Sequence, residues 1–254
     1  MKVSVLISAF NRPQWIGEAI QSVLDSDYQD VEILVRNSSD AKHREAVDEV
    51  VNAMAAKQFT PGSIPINMFH GINKNAPHSS NVLAEAASGE YLFPLPDDDA
   101  VKPTLLGRLV ELLQTCELAC AQPEFMDSDS KPHVDDHPWH HIGKIVNMSR
   151  ADMKTAMYAG TPFMGGTMFR KSLIKRIGPG DESLRNLSDL HFYLRVLEVG
   201  EIKAIEEPLY RFRIHDSNTS LISPENTARF EAEINRIRRQ FYRKPVANCM
   251  SALD

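Results

Sequence analysis

No apolar run in this chain approaches the ~20 residues that a membrane-spanning helix needs. No signal-like segment precedes the first strand pattern, which starts near residue 3, so a cytoplasmic protein is expected, with peripheral attachment to a membrane left open. Cysteine is scarce: Cys116, Cys120 and Cys249 are an odd set without close CxxC pairing, which excludes a disulfide framework and points to reduced thiols. Cys116 and Cys120 read as core thiols on a helix. Positive charge is also short, with 28 Lys and Arg against 34 Asp and Glu and a net charge of −6, which argues against a surface built for nucleic acid. The exception is the stretch around Arg236, Arg238, Arg239 and Arg243. No glycine-rich phosphate loop with a lysine follows the first strand, which disfavours a nucleotidyltransferase of that kind. Low-complexity segments and internal repeats are absent too, and the 43% hydrophobic content suffices for one large core, or one core plus a modest appendage.

What is present is concentrated at Leu95-Pro96-Asp97-Asp98-Asp99. Three consecutive carboxylates directly after the apolar Tyr91-Leu92-Phe93 belong at a strand's end rather than inside it, and as hard oxygen ligands they suit Mg²⁺ or Mn²⁺, ions that in turn hold nucleotide phosphates. In isolation the triplet would be a solvated turn or a helix start before Lys102-Pro103-Thr104-Leu105. Its setting is more specific. Val3 to Ala9 is a run suited to burial on both faces of a parallel sheet, and Pro13 opens a helix with Trp15, Ile16, Ala19, Ile20, Val23 and Leu24 at helical spacing. Val31 to Val35 is a second strand, Arg44 to Ala56 a second helix, Ile64 to Phe69 an edge strand with a proline, and Ser80 to Ala87 a third helix. Alternation of this kind means βαβ units and a mostly parallel sheet, whose ligands bind beyond the strands' carboxyl ends, where Asn11, Asn37 and Asp97 to Asp99 would converge.

The second half has another texture. Asp127 to Gly143 reads as a long loop carrying His133, His137, His140 and His141 with Asp135 and Asp136; loop spacing fixes no metal geometry, so an acceptor-facing surface is expected, with Trp139 either stacking on a ligand or plugging the core. Thr161 to Phe169 reads as a strand interrupted by Gly165 and Gly166, suited to close approach of a ligand. Leu187 to Val199 is a helix with Ser188 or Asp189 near its start, Ile202 to Ile205 and Leu209 to Ile214 are short strands, and Phe230, Ile234, Ile237 and Phe241 form the apolar stripe of a last helix. That helix could dock on its own domain, the first expectation, pair two copies in a homodimer, or lie on an anionic membrane.

These pieces together resemble a family-two glycosyltransferase of the GT-A fold, from Val3 to about Ser220 and in the family's order. Val3 to Pro13 resembles the opening strand and nucleotide-binding turn, Ala19 to Leu24 the first helix, and Val31 to Val35 the second strand. Ala87-Ser88-Gly89-Glu90-Tyr91-Leu92 with Asp97 to Asp99 resembles the lead-in to the acidic metal motif. Ser188-Asp189 with Phe192-Tyr193-Leu194-Arg195 resembles the catalytic-base segment, and Tyr210 to His215 the late segment whose histidine reaches the metal or diphosphate. The resemblance implies an α/β fold with a Rossmann-like, mostly parallel central sheet flanked by helices and a smaller acceptor-side region. It implies sugar transfer with inversion from a nucleotide sugar, a UDP-sugar first, to a saccharide or lipid-linked saccharide, a nucleic acid acceptor being left open. By the same match Asp189 is the general base, Asp98, Asp99 and His215 hold a divalent cation, Mn²⁺ or Mg²⁺, and Ala9, Asn11, Arg12, Asn37 and Asp97 meet the donor. Gly165, Gly166 and Trp139 fall on the acceptor side. Residues 1–100 would then form the donor half, 101–222 the acceptor and catalytic half, and 223–254 a C-terminal amphipathic helix and tail.

Four positions depart from the family pattern. Arg36-Asn37-Ser38-Ser39-Asp40 stands where an acidic pair usually reads the nucleobase, Pro96 replaces the first aspartate of the acidic motif, Ser188 replaces a glutamate before Asp189, and His78-Ser79-Ser80-Asn81 replaces an Arg-Asn pair. Without the resemblance, Asp189 would be a helix-dipole carboxylate and His215 a surface histidine. The alternative function is a catalytically silent nucleotide-sugar-binding protein of the same fold, favoured by the departures at Arg36, Pro96 and Ser188 and opposed by the retention of Asp98, Asp189 and His215 together.

Overall fold

In this computed structural model, which describes residues 1–58, 62–133, 148–160, 165–218 and 224–241, one mixed sheet forms the centre of the chain. Val3–Ala9 (β1), Val31–Asn37 (β2), Ile66–His70 (β3) and Tyr91–Pro96 (β4) are mutually parallel, and Met168–Arg170 (β7) joins β4 antiparallel. Leu118–Met126 (β6) pairs antiparallel with β7 and parallel with Ile202–Arg213 (β8), and the short Ala100–Val101 (β5) closes the far edge. The order is β3-β2-β1-β4-β7-β6-β8-β5. The pairings therefore run β1 to β4, β6 and β8 in one direction, and their carboxyl ends share one edge. β3 takes the outer edge, as its proline-containing sequence predicts.

Helices cover both faces. Pro13–Leu24 (α1), Ala41–Ala56 (α2) and Leu105–Leu112 (α4) bury Ile16, Ile20, Val47, Val51, Leu105 and Leu109 against Val5, Ile7, Ile33 and Phe93. Ala76–Ala86 (α3), Arg150–Gly160 (α5), Lys171–Ile177 (α6), Ser188–Val199 (α7) and Pro224–Phe241 (α8) cover the other, with Leu83, Met157, Leu173, Leu190, Leu194 and Ile237 in its core. α1 starts on Pro13, as expected; α2 starts at Ala41 rather than Arg44 because Asp40 accepts from the backbone N–H groups of Lys42 and His43. α3 likewise starts early, on the cap supplied by Asn75.

Three readings of the sequence change. Cys116 and Cys120 do not share a helix: Cys116 lies in the connection after α4 and Cys120 on β6, where burial pushes its thiol up to about 12. The two expected strands over 202–214 are one, β8, whose pairing with β6 slips at Gln122 and Pro123; the irregularity accommodates Pro123 and sets Glu206 and Glu207 outside the ladder. The glycine-interrupted strand begins only at Met168, because Gly166 has φ +56, outside the β region. Trp139, His137, His140, His141, Asp135 and Asp136 lie outside the described residues.

At the sheet's amino end, Glu32 forms a closed polar clamp. It accepts from the Ser4 hydroxyl (2.5 Å), the Ser88 N–H (2.7 Å) and the Gly89 N–H (3.2 Å), with the Lys2 ammonium 3.3 Å away. A Cβ on Gly89 would fall 2.6 Å from the Ser4 hydroxyl and 2.7 Å from the Lys2 carbonyl, so only glycine lets this turn close.

Candidate active site

At the opposite edge the turns after β1, β2 and β4 are bonded to one another. Asn11, in the left-handed region at φ 59, exchanges two hydrogen bonds with Asp40, from its Nδ2 to Oδ2 (2.9 Å) and from the Asp40 N–H to its Oδ1 (3.0 Å). An asparagine tolerates this backbone better than a bulkier residue. The Phe10 N–H donates to Asp97 Oδ2 at 2.8 Å, and Arg12 reaches across to Asp97, with Nη2 2.5 Å from Oδ1, and to Asp98 through Nη1. The convergence of Asn11 and the acidic run at a carboxyl edge is thus present.

The three aspartates have different surroundings. Asp98 Oδ2 meets both Arg12 and, at 2.9 Å, Nε2 of His215, which follows β8. His215 is held from the other side by the Ser217 hydroxyl at 2.9 Å from Nδ1 and lies 4.3 Å, centroid to centroid, from the Trp15 ring. Asp97 is fully buried, and burial together with the neighbouring Asp98 charge pushes its pKa up to about 7 against the pull of Arg12. Burial and the Asp98 charge also raise Asp99 well above the ordinary value. Both Asp99 oxygens are engaged: Oδ1 accepts from the Arg213 N–H at 2.9 Å and Oδ2 from the Tyr210 hydroxyl. Grouped with Asp98 as a metal ligand on the sequence, Asp99 here braces β8 against the acidic turn.

Asn37 ends β2 at this edge, but its side chain is already engaged. It is buried, with its Nδ2 donating to the Arg44 carbonyl (3.1 Å) and Asp48 (2.7 Å) and its Oδ1 accepting from the Ser39 N–H (3.0 Å). An amide with these bonds shapes the β2–α2 turn and has no free edge for a base. Ala9 lies beneath the same turn, its carbonyl accepting from the Ser38 N–H and hydroxyl.

Sequence reasoning passed over the residue that ties the edge together. Arg213 is completely buried: Nε donates to the Asp98 carbonyl (2.7 Å), Nη2 to Glu18 (2.5 Å) and Nη1 to the Ser130 hydroxyl (2.9 Å), with its guanidinium 5.4 Å from the Trp15 ring centroid. Glu18 on α1 also takes Arg211 at 3.1 Å, and Trp15 Nε1 donates to the Ser128 carbonyl, so α1, β8 and the segment after β6 are fastened at one point. The available signal was an arginine two residues before His215 on a strand and a glutamate beside the apolar face of α1.

Asp189 is the second residue of α7, whose amino end lies at this edge because the helix leads back to the start of β8. It is open to solvent, yet its pKa is raised by burial, with the Glu233 charge adding to the shift. One turn on, Tyr193 hydrogen-bonds Thr167, next to Gly166, and a Cβ on Gly166 would fall 2.9 Å from the Tyr210 ring. Tyr210 in turn holds Asp99. A packed path thus joins α7 to the acidic turn through the Gly165-Gly166-Thr167 segment.

For a divalent cation, Asp98 Oδ2 and His215 Nε2 are a hard oxygen and an imidazole nitrogen 2.9 Å apart. That is near the roughly 3 Å between adjacent ligands of an octahedral ion with bonds of about 2.1 Å. Among the described residues no set of three His, Cys, Asp or Glu is poised for a metal, so this pair fits an ion that takes its remaining ligands from phosphate and water.

The glycosyl transferase family 2 profile matches residues 4–178, more than half of the chain. The chain belongs to glycosyl transferase family 2. This family-2 glycosyltransferase is 25% identical over 235 residues to an uncharacterized glycosyltransferase of Nostoc sp., covering 92% of this chain and 71% of that one. Its fold is similar to that of Staphylococcus aureus TarS (residues 1–349) in complex with UDP-GlcNAc, with a TM-score of 0.66 at 14% identity over 95% of this chain and 71% of that one. It is also similar to the mannosyltransferase PcManGT of Pyrobaculum calidifontis in complex with GDP-Man and Mn²⁺, with a TM-score of 0.61 at 14% identity over 85% of this chain and 58% of that one. The fold is therefore GT-A and the protein class a glycosyltransferase, an enzyme of the transferase kind. Among the described residues no helix is long and apolar enough to cross a membrane.

Proposed function

We propose that this protein transfers a sugar from a nucleoside-diphosphate sugar to an acceptor hydroxyl with inversion at the anomeric carbon. The observation that carries the reading is the meeting of Asp98 and His215 at 2.9 Å beyond the carboxyl ends of the strands. Nucleotide-sugar complexes of TarS and PcManGT support the donor class, and the Mn²⁺ of the latter supports a divalent cation here.

In this reading the donor lies across the turns after β1 and β4, with Asn11 and Arg12 on its nucleotide side. Asp98 and His215 would hold a divalent cation, which when bound would supply Lewis-acid neutralisation of the charge on the departing diphosphate. Asp189 accepts the proton of the acceptor hydroxyl as its oxygen bonds to the anomeric carbon, and the electron pair of the broken bond leaves with the diphosphate. A base opposite the leaving group makes this a single displacement, hence inversion. The raised pKa suits a base better than an ordinary carboxylate, because its conjugate acid is weaker. Asp99, Tyr210 and Arg213 hold the acidic turn, and Gly165 and Gly166 border the acceptor side. Residues 1–100 act as donor half and 101–222 as acceptor and catalytic half, with α8 (Pro224–Phe241) packed on the domain.

The test is a thermal-shift panel of UDP-, GDP-, CMP- and dTDP-sugars with and without Mn²⁺, followed by NMR of the product. A donor that raises the melting temperature in a metal-dependent way, and releases its sugar inverted, is expected. Stabilisation without turnover would establish the silent binding protein, and a retained anomeric configuration would remove Asp189 as base.

A further inference from the structure

α7, which presents Asp189, has no side-chain cap of its own: Leu187 stands at its N-cap and contributes no hydrogen bond. Its lead-in is capped from elsewhere in the chain. Glu233 on α8 accepts from the backbone N–H groups of Arg185 (2.8 Å), Asn186 (2.9 Å) and Leu187 (2.8 Å). Arg236, one turn further along α8, reaches Asp181 at 3.0 Å and the Ser183 hydroxyl at 2.7 Å. From the other side, Glu182 is held by His78 at 2.9 Å and Asn81 at 3.1 Å, both on α3. Residues 181–187 are thus stretched between two helices, with Asp189 at the end of the strap.

Glu233 is an unexpected residue for this place. It is only 8% exposed, directly before Ile234 and three residues before Arg236 on the face that docks, and no Lys, Arg or His pairs with it among the described residues. Helix docking alone would be served at least as well by an apolar side chain, since burying a carboxylate is costly unless its oxygens are filled. What this carboxylate does that a leucine could not is gather three backbone donors one turn ahead of Asp189.

We propose that Glu233 is a positioning residue for transfer: the C-terminal helix, through this carboxylate, fixes the first turn of α7 and with it the direction of the Asp189 side chain. This inference rests on the reading of Asp189 as base. Proton abstraction at the moment of attack tolerates little misplacement, and a shift of about 1 Å from a change outside the reacting atoms costs on the order of 10²-fold. Removing Glu233 would free three N–H groups and let the first turn of α7 fray, while the bonds that order the donor side run among Phe10, Arg12, Asp97, Asp98 and His215.

The test uses the full chain with Glu233→Ala, Glu233→Gln, Asp189→Asn and the Glu233→Ala/Asp189→Asn pair, and follows nucleoside diphosphate release from UDP-GlcNAc or GDP-mannose with Mn²⁺. Expected for Glu233→Ala are a kcat roughly 10–100-fold lower, donor Kd by calorimetry within about twofold of wild type, and faster amide exchange at residues 185–187. The double variant should match Asp189→Asn alone, because a positioning residue has nothing left to position. Glu233→Gln, with one acceptor oxygen kept, should fall between; if Glu233→Ala does not fold, Glu233→Gln carries the same criteria. A wild-type kcat in the Glu233 variant beside an inactive Asp189→Asn would overturn the positioning role and leave the base in place. A wild-type kcat in Asp189→Asn would overturn the base, and this inference with it. Equal losses of donor affinity and kcat, or a further loss on top of Asp189→Asn, would reduce Glu233 to a general structural support.

Discussion

The two ends of the sheet hold carboxylates in opposite states. At the amino end Glu32 has its oxygens filled by Ser4, Ser88, Gly89 and Lys2, and although burial works against its charge, these bonds hold its pKa below the ordinary value. At the carboxyl end Asp97, Asp98 and Asp99 crowd around Arg12, and burial with mutual repulsion raises Asp97 and Asp99. The first end is organised for the charge it carries. The second holds carboxylates whose charged form burial and mutual repulsion disfavour, a cost that an incoming cation would offset. Asp189, a few residues from Glu233 in space, shares the upward shift of the carboxyl edge. The lesson is that a buried acid is not by itself a site; the sign of its imbalance distinguishes a clamp from a receptor.

The largest effect expected from this contrast is on Asp189. Asp189→Asn should lower turnover by roughly 10²–10⁴-fold with donor affinity kept, since positioned proton transfer contributes about that much. In the wild type, activity should fall as pH drops through the raised Asp189 pKa, so the acid limb lies above the ordinary aspartate value of 3.8. A raised folded pKa also means that the stability tied to this group is complete below the unfolded value and lost as pH rises through the folded one. The same substitution should therefore leave the melting temperature at neutral pH unchanged or higher. A marked drop in melting temperature would place Asp189 with Glu32, as a structural acid.

Next in size is Asp98→Asn, which should make donor affinity equal with Mn²⁺ and with EDTA, a loss of roughly tenfold or more, or about 1.4 kcal/mol upward. The fold should persist, because Arg12 keeps Asp97 and Asp99 keeps Tyr210 and Arg213. Calorimetry giving the wild type equal donor affinity in Mn²⁺ and EDTA would end the metal reading of this edge.

How far the sequence reached divides along the same line. β1, β2 and β4 were legible because strands covered on both faces are written as continuous apolar runs, and the Asp run marked their carboxyl edge. β6 was not, since Gln122 and Pro123 interrupt its pattern and only the pairing with β8 shows that a bulge absorbs them. His215 was legible through its segment, whereas Arg213 and Glu18 were not, their partnership spanning 195 positions that no local period encodes. Asn37 and Asp99 lie on the edge with their side chains already bonded, where the sequence left them free; residue type says which bonds a group offers, and only the fold says which are already used. Of the last helix's stripe, Ile234 and Ile237 are buried in the core shared with α7 and Phe230 is exposed, so the helix docks on its own domain; Glu233, directly before Ile234, carried no sequence signal.

The smallest effect sharpens the comparison from the amino end. Glu32→Gln keeps the shape of the side chain and removes its charge, so it should leave turnover and donor affinity at wild-type levels. It should cost about 1–3 kcal/mol, since an amide that keeps its oxygen on the Ser4, Ser88 and Gly89 donors turns its NH2 toward the Lys2 ammonium, where the carboxylate presents an oxygen. At about 2–4 °C per kcal/mol for a chain of this size, a thermal melt resolves it. The pH dependence should run opposite to that of Asp189. Because the folded pKa of Glu32 is lowered, its contribution is present above the unfolded value, near 4.5, and lost as pH falls through the folded one. The gap between wild type and variant should hold steady above about pH 4.5 and close as pH falls from there through the lowered folded pKa, below which the wild-type carboxyl is itself neutral. A gap that persists undiminished in acid would mean that shape rather than charge holds the clamp, and the contrast between the two ends would then rest on packing instead of electrostatics.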